Sequence, residues 1–312
     1  MTLDLIAVPY DAGHRSTRMG RGPEALLEAG LERHLEALGH STTLQWVEAS
    51  SGRLGENGVA FDLAASLSAR VAEARERGAF PLVLAGNCAS VWGAVAGIGE
   101  PRPAVVWLDA HGDFNTPETS RSGFLDGMSA SVLTGGCWVA AAATIPGFSP
   151  VPESALWLVG TRDLDPDEAA GLEASDVTVV PPAALRGPDG VEGALASLAA
   201  SDDPVHLHLD LDVLDPDAVG RANRFAAPGG LELRDVQALV EWLARRRPIG
   251  ACTISAYDPE VDAGGRVREA AFALIGHLAD VVRRRDHGAS HPDGGGVPSE
   301  PSAEPSAQPP WS

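Results

Sequence analysis

Asp109, His111 and Asp113 alternate in W-L-D-A-H-G-D (Trp107–Asp113), directly after an apolar run from Pro103 to Leu108. At the end of a strand, residues i, i+2 and i+4 point to one side. Three metal-competent side chains therefore converge where a strand becomes a loop. Asn115, Thr116, Thr119, Ser120 and Ser122 follow, a hydroxyl- and amide-rich stretch suited to a polar ligand. A hundred residues later, H-L-H-L-D-L-D-V-L-D-P (His206–Pro216) again runs an apolar strand into carboxylates, with Asp210 and Asp212 on one face.

Neighbouring carboxylates repel, and burying them unpaired is costly. Two such clusters at strand ends make sense if cations sit between them. Carboxylates with one imidazole suit Mn or Mg better than Zn or Cu. Either cluster alone also fits a turn or capping device, because D-P and D-x-D are common in loops; the two together point to metal.

The elements that carry these clusters are short apolar runs alternating with helical patterns. Strands are read at Leu3–Val8, Thr42–Val47, Phe80–Leu84, Pro103–Leu108, Ala155–Val159, Val177–Val180, Val205–Leu211 and Ile249–Ser255. Helices are read at Glu24–Leu38, at Phe61–Gly78, from about Val91, from about Met128, after Asp165, at Val236–Ala244 and at Val267–Arg285. Near-continuous apolar strands separated by helices predict an α/β fold whose parallel sheet is covered on both faces. Ligands of such folds gather at the carboxyl ends of the strands. Both acidic clusters lie there, as does the turn Ala85-Gly86-Asn87-Cys88 after the third strand. One domain is expected over residues 1–285. From Asp286 to Ser312 the composition turns to Gly, Pro, Ser and Glu, and that tail is expected to be disordered.

The formal charge of −20 over 312 residues argues against nucleic acid or an anionic membrane as partner, since both need basic surface. Bound divalent metal would cancel part of it. Three cysteines (Cys88, Cys137, Cys252) make no disulfide framework and fit a reducing compartment. No apolar run approaches the ~20 residues of a membrane span. The opening Met1-Thr2-Leu3-Asp4 lacks a basic signal region, so a cytoplasmic location is expected.

With these motifs in view, residues Leu3 to Leu278 resemble the arginase/agmatinase (ureohydrolase) superfamily. The resemblance rests on D-A-H-G-D (Asp109–Asp113) and D-L-D-V-L-D-P (Asp210–Pro216), with G-P-E-A-L-L-E-A-G-L (Gly22–Leu31) and G-T-R-D-L-D-P (Gly160–Pro166) in support. It implies a three-layer α/β/α fold around an eight-stranded parallel sheet, often assembled as homotrimers or hexamers. It implies one or two Mn(2+) ions per chain, with another divalent metal as an alternative. By the family pattern Asp109 and Asp210 bridge the metals, and His111 and Asp212 complete one site. Asp113 helps bind the other and orients a metal-activated hydroxide. That hydroxide attacks the carbon of an amidine-type small molecule. Asn115 and Ser122 fall where the family holds a substrate α-carboxylate, and Asp165 falls near its α-amino group.

Three positions depart from the pattern. The family's G-G-D-H turn reads Ala85-Gly86-Asn87-Cys88, so a thiol stands where an imidazole ligand is expected. Thiolate is a poor ligand for Mn(II), which leaves a weak or empty site, a Zn or Fe site, or a buried inert cysteine as readings of Cys88. Asp126 takes the position of a His proposed to shuttle protons. A carboxylate does that work only if burial or like charge raises its pKa; a solvated loop Asp is the other reading. Ala256 takes the position of a Glu that pairs with the substrate guanidinium, with Asp258 or Glu260 as candidate replacements. The basic segment Arg221–Pro228 could recognise a carboxylate, although pairing of Arg221 and Arg224 with surface acids is the favoured reading. The expected function is hydrolysis of linear amidine-type C–N bonds in a guanidino, hydroxyguanidino or formimino group of an amino-acid-like substrate. A metal-depleted regulatory or scaffold member is the alternative, and a true arginase or agmatinase is disfavoured by Ala256.

Overall fold

The computed structural model describes residues 1–50, 55–187, 189–200 and 203–289. Eight parallel strands form one sheet: β1 (Thr2–Val8), β2 (Ser41–Trp46), β3 (Phe80–Ala85), β4 (Ala104–Leu108), β5 (Leu156–Val159), β6 (Thr178–Val180), β7 (Val205–Asp210) and β8 (Ile249–Ser255). Their spatial order is β2-β1-β3-β8-β7-β4-β5-β6. All eight lie where the apolar runs put them. Every residue of β3, β4 and β7 is buried; β3 and β4 read accordingly as unbroken apolar runs, whereas β7 carries His206, His208 and Asp210 among its apolar residues.

Helices cover both faces. Alternate residues Leu82, Leu84, Val106, Leu108, Leu207 and Leu209 pack with α1 (Gly22–Glu28), α2 (Leu31–Ala37), α7 (Leu233–Arg246) and α8 (Arg266–Ala289). The other face holds Val83, Val105 and Trp107 against α3 (Glu56–Glu76), α4 (Val91–Ile98) and α5 (Ser129–Thr134). This is the expected three-layer α/β/α arrangement. Among the described residues no helix is long and apolar enough to cross a membrane.

Three helix boundaries differ from expectation. The single helix expected over Glu24–Leu38 is two helices, α1 and α2, broken at Gly30 with φ +98°. Leu26 and Leu31 still reach one core, so the apolar spacing hides the break. Helix α3 starts at Glu56, not Phe61, because its opening turn is polar and glycine-bearing yet places Glu56 favourably at the helix N-terminus. Helix α8 continues to Ala289, four residues into the stretch expected to be tail. The remainder of that stretch, 290–312, lies outside the described residues.

The sequence order leaves β3 and β4 on either side of a gap that β7 and β8 fill. Four consecutive strands, β3-β8-β7-β4, then end side by side. The turn after β3 is set by close backbone approach: a Cβ on Gly86 would meet the Tyr10 carbonyl oxygen at 2.2 Å and Gly20 Cα at 2.7 Å. Gly86→Ala is therefore expected to destabilise by about 1–3 kcal/mol in urea unfolding. An unchanged midpoint would show that this turn has slack.

Candidate metal centre and active-site cavity

The four strand ends bring together residues far apart in sequence. Cys88 opens a short 3-10 turn after β3, Asp109 follows β4, Asp210 ends β7 and Ser255 ends β8. The Cys88 thiol donates to Asp210 Oδ2 at 3.1 Å and lies 4.0 Å from Asp109 Oδ2. His111 Nδ1 is 3.2 Å from Asp109 Oδ1 and 3.4 Å from Asp212 Oδ2. Asp109, His111 and Asp212 each offer a ligand atom within 4.8 Å of the others. The two acidic signatures thus form one cluster. Its hard carboxylate oxygens and single imidazole fit a divalent ion of the Mn or Mg type.

The chain holds these ligands by their outer atoms. Trp107 Nε1 donates to Asp109 Oδ2 at 3.0 Å, and the His111 amide to Oδ1 at 2.7 Å. The Asp212 amide donates to Asp210 Oδ1, and the Ala110 amide to Asp212 Oδ1. Asp113 sits at φ +48°, a left-handed conformation that Asp tolerates, and its carbonyl accepts from Ala130 and Ser131 at the start of α5. Arg162, from the G-T-R-D motif, donates to the carbonyls of Gly160, Asp212, Val213, Ala227 and Pro228. It thereby pins two site loops together.

The carboxylates resist ionisation. Burial, then Asp212, raises the Asp109 pKa. Burial, then Asp212 and Asp109, raises Asp210 well above the usual range. Burial with Asp109 and Asp126 does the same to Asp113. Burial works against the His111 imidazolium, but Asp212, Asp109 and Asp113 override it and push that pKa up to about 11. Excess negative charge on this scale is what a cation relieves.

Asp126 is not a solvated loop residue. It is 8% exposed, accepts from the Ala89 amide at 2.9 Å and from Asn87 Nδ2 at 2.8 Å, and burial pushes its pKa up to about 7. The two departures at 87 and 126 are complementary. With a carboxylate at 126, an amide donor at 87 makes a hydrogen bond where an acid would add repulsion.

The cluster opens into a cavity of about 460 Å³. Cys88, Asp109, His111, Asp113, Asp126, Asp210 and Asp212 line it, as do Asn115, Ser122 and Asp165; Thr116 and Thr119 of the polar stretch do not. Glu168 and Asn223 also line it and were missed. Glu168 is buried, accepting from the Phe114 and Asp165 amides; the D-x-x-E spacing from Asp165 was the available signal, a capping box at the start of α6 (Pro166–Glu173). Asn223 Nδ2 donates to Asp212 Oδ2 and to the carbonyl of Ala256, whose φ is +63°. Its partners lie 11 and 33 residues away, so no local pattern marks it.

Two expectations are corrected. Asp258 and Glu260 do not replace the carboxylate missing at Ala256: Asp258 Oδ1 accepts from the Glu260 amide, and Glu260 pairs with Arg21 at 2.6 Å. Neither lines the cavity. Arg221 and Arg224 form no ion pair among the described residues. Arg221 donates to the Arg224 carbonyl, and Arg224 lines the cavity beside Phe225, whose ring stacks 6.1 Å from that of Phe124.

A sequence-family model described as Arginase family matches residues 2–279. The chain belongs to the arginase family. It is 33% identical over 296 residues to an arginase of Bacillus caldovelox, covering 88% of this chain and 97% of that one. It is 37% identical over 151 residues to an N(omega)-hydroxy-L-arginine amidinohydrolase of Streptomyces lavendulae, about half of each chain. An arginase crystal structure from Bacillus subtilis superposes with a TM-score of 0.80 at 27% identity, covering 89% of this chain and 98% of that one.

The titration of this cluster gives a pH signature in chelator-treated protein. The fold favours protonated Asp126, so its contribution is fully present below an unfolded pKa of about 3.9 and is lost as pH rises through about 7. The Asp126→Asn variant is expected to lose on the order of 10 °C less melting temperature than wild type between about pH 4 and pH 7, the equivalent of about 4 kcal/mol. Parallel curves for the two proteins would refute the buried, proton-holding Asp126.

Proposed function

We propose that the chain is a metal-dependent hydrolase that cleaves the C–N bond of a linear amidine-type group carried on an amino-acid-like substrate. The observation that carries this reading is the convergence of Asp109, His111, Asp113, Asp210 and Asp212 on a cavity also lined by Asn115, Ser122, Asp165 and Glu168. Asp109, His111, Asp210 and Asp212 would hold the divalent ion, with manganese the choice of the family and of the oxygen donors. Bound there, such an ion would lower the pKa of water and make hydroxide available near neutral pH.

The chain's own groups do the rest. Asn115 and Ser122 bind the substrate carboxylate, and Asp165 and Glu168 attract its ammonium. Water adds to the amidine carbon, and the bond from that carbon to the substrate amine breaks. Asp113 orients the attacking water. Asp126, with a pKa of about 7, takes a proton and returns it to the leaving amine nitrogen. Ala256 offers no charge to a guanidinium, so a less basic group is preferred. An N-hydroxyguanidine or a formimino group meets that condition, and the Streptomyces lavendulae relative is named for a hydroxyguanidine. The non-catalytic alternative gains no support from relatives, which carry the names of hydrolases.

The test is product release by Mn-loaded protein from guanidino, N-hydroxyguanidino and formimino amino acids, read as urea, hydroxyurea and formamide. The less basic substrates are expected to exceed arginine by roughly ten- to a hundred-fold in kcat/KM, the worth of one charge-assisted hydrogen bond. Asp210→Asn should cost at least roughly a thousand-fold. No release from any of the three would overturn the hydrolase reading, and arginine as the best substrate would overturn the role given to Ala256.

A further inference from the structure

The imidazole missing from the turn after β3 has a counterpart elsewhere in the same site. His208 lies on β7, two residues before Asp210 and on the same face, and it is fully buried. Cys88 Sγ, an Asp109 carboxylate oxygen and a ring nitrogen of His208 all lie within 4.8 Å of one another. The His208 ring packs 4.1 Å from the Trp107 ring, and Nε2 is 3.3 Å from Ser255 Oγ, itself 3.4 Å from Cys88 Sγ. His208 Nδ1 is buried without a hydrogen-bond partner among the described residues. Within the pattern H-L-H-L-D no local signal distinguishes a ligating His208 from a histidine of the core.

We propose that Cys88, His208 and Asp109 form a soft-donor metal site, beside Asp210, that takes zinc or another thiophilic divalent ion in preference to manganese. This deepens the hydrolase reading by specifying the first of its metal positions, but it stands on the geometry alone. Thiolate and imidazole together select zinc over manganese, whose preference is for oxygen. The spacing suits a tetrahedral ion. Sulfur and oxygen ligands at bond lengths of about 2.3 and 2.0 Å stand roughly 3.5 Å apart, and Cys88 Sγ lies 3.1 Å from Asp210 Oδ2 and 4.0 Å from Asp109 Oδ2. The Cys88 thiol gives up its proton to solvent as the sulfur–metal bond forms. The Ser255 hydroxyl and the Trp107 face fix the imidazole, as outer partners of metal ligands do. The competing account is a neutral thiol donating to Asp210 next to an inert core histidine.

Cobalt(II) titration of the chelator-stripped full chain separates the two. The site is expected to give a sulfur-to-cobalt charge-transfer band in the near ultraviolet that zinc abolishes and manganese at tenfold higher concentration does not. Cys88→Ser should remove the band, His208→Gln should weaken cobalt binding at least tenfold, and Asp212→Asn should leave the band in place. X-ray absorption on the zinc-loaded wild type needs no variant to fold. One sulfur at about 2.3 Å with an imidazole at about 2.0 Å supports the site. A shell of oxygen and nitrogen alone, a band that survives Cys88→Ser, or unchanged affinity in folded His208→Gln overturns it. Substrate turnover is read separately. Turnover without the sulfur signature sinks this site and spares the hydrolase, and the reverse result sinks the hydrolase and spares the site.

Discussion

The repulsion among buried carboxylates at the ends of β4 and β7 is the constraint on which the rest of the site depends. Asp109 and Asp210 share the Cys88 thiol as a neighbour and Asp109 and Asp212 share His111, all almost wholly out of water. Such a group is tolerable only with positive charge or protons to neutralise it. His111 supplies one charge, and the amides of Ala110, His111 and Asp212 supply partial ones. The remaining negative charge is what a bound cation would offset. The surrounding structure serves to keep the carboxylates aimed at a common point despite their mutual repulsion.

That constraint explains the grouping of the departures. Asp126 brings a further buried carboxyl group close to the cluster. Asn87 answers with an amide donor, and the Ala89 amide caps the second oxygen. Asn223 does the same for Asp212 while holding Ala256 in a conformation that alanine seldom takes. Asp126 with Asn87 and Asp212 with Asn223 thus form pairs, each a carboxyl group held by an amide donor.

The sheet was legible in the sequence because both its faces are covered, which makes its strands continuous apolar runs. The ligand clusters were legible because strand geometry alone aims alternate residues together. What escaped depends on long-range partners. The break at Gly30 is masked by leucines that serve one core from two helices. Glu168 looked like part of a helix start, which it is, and its second role appears only once the loop 109–115 folds back onto it. His208 was hidden by its own burial. Asp258, Glu260, Arg221 and Arg224 were given partners by proximity in sequence, and the fold chose others.

The strand order has a consequence for how the protein is made. Strands β3 and β4 are finished near residue 108, yet the strands that separate them, β7 and β8, begin only at Val205 and Ile249. At a synthesis rate of roughly 5–20 residues per second, the inner edges of β3 and β4 stay unpaired for on the order of ten seconds. During that interval the nascent chain carries two open, wholly apolar strand edges, the kind of template on which neighbouring chains assemble wrongly. The step that closes those edges also brings the two acidic clusters together, so an emerging chain lacks the assembled cluster until its aggregation-prone edges are covered.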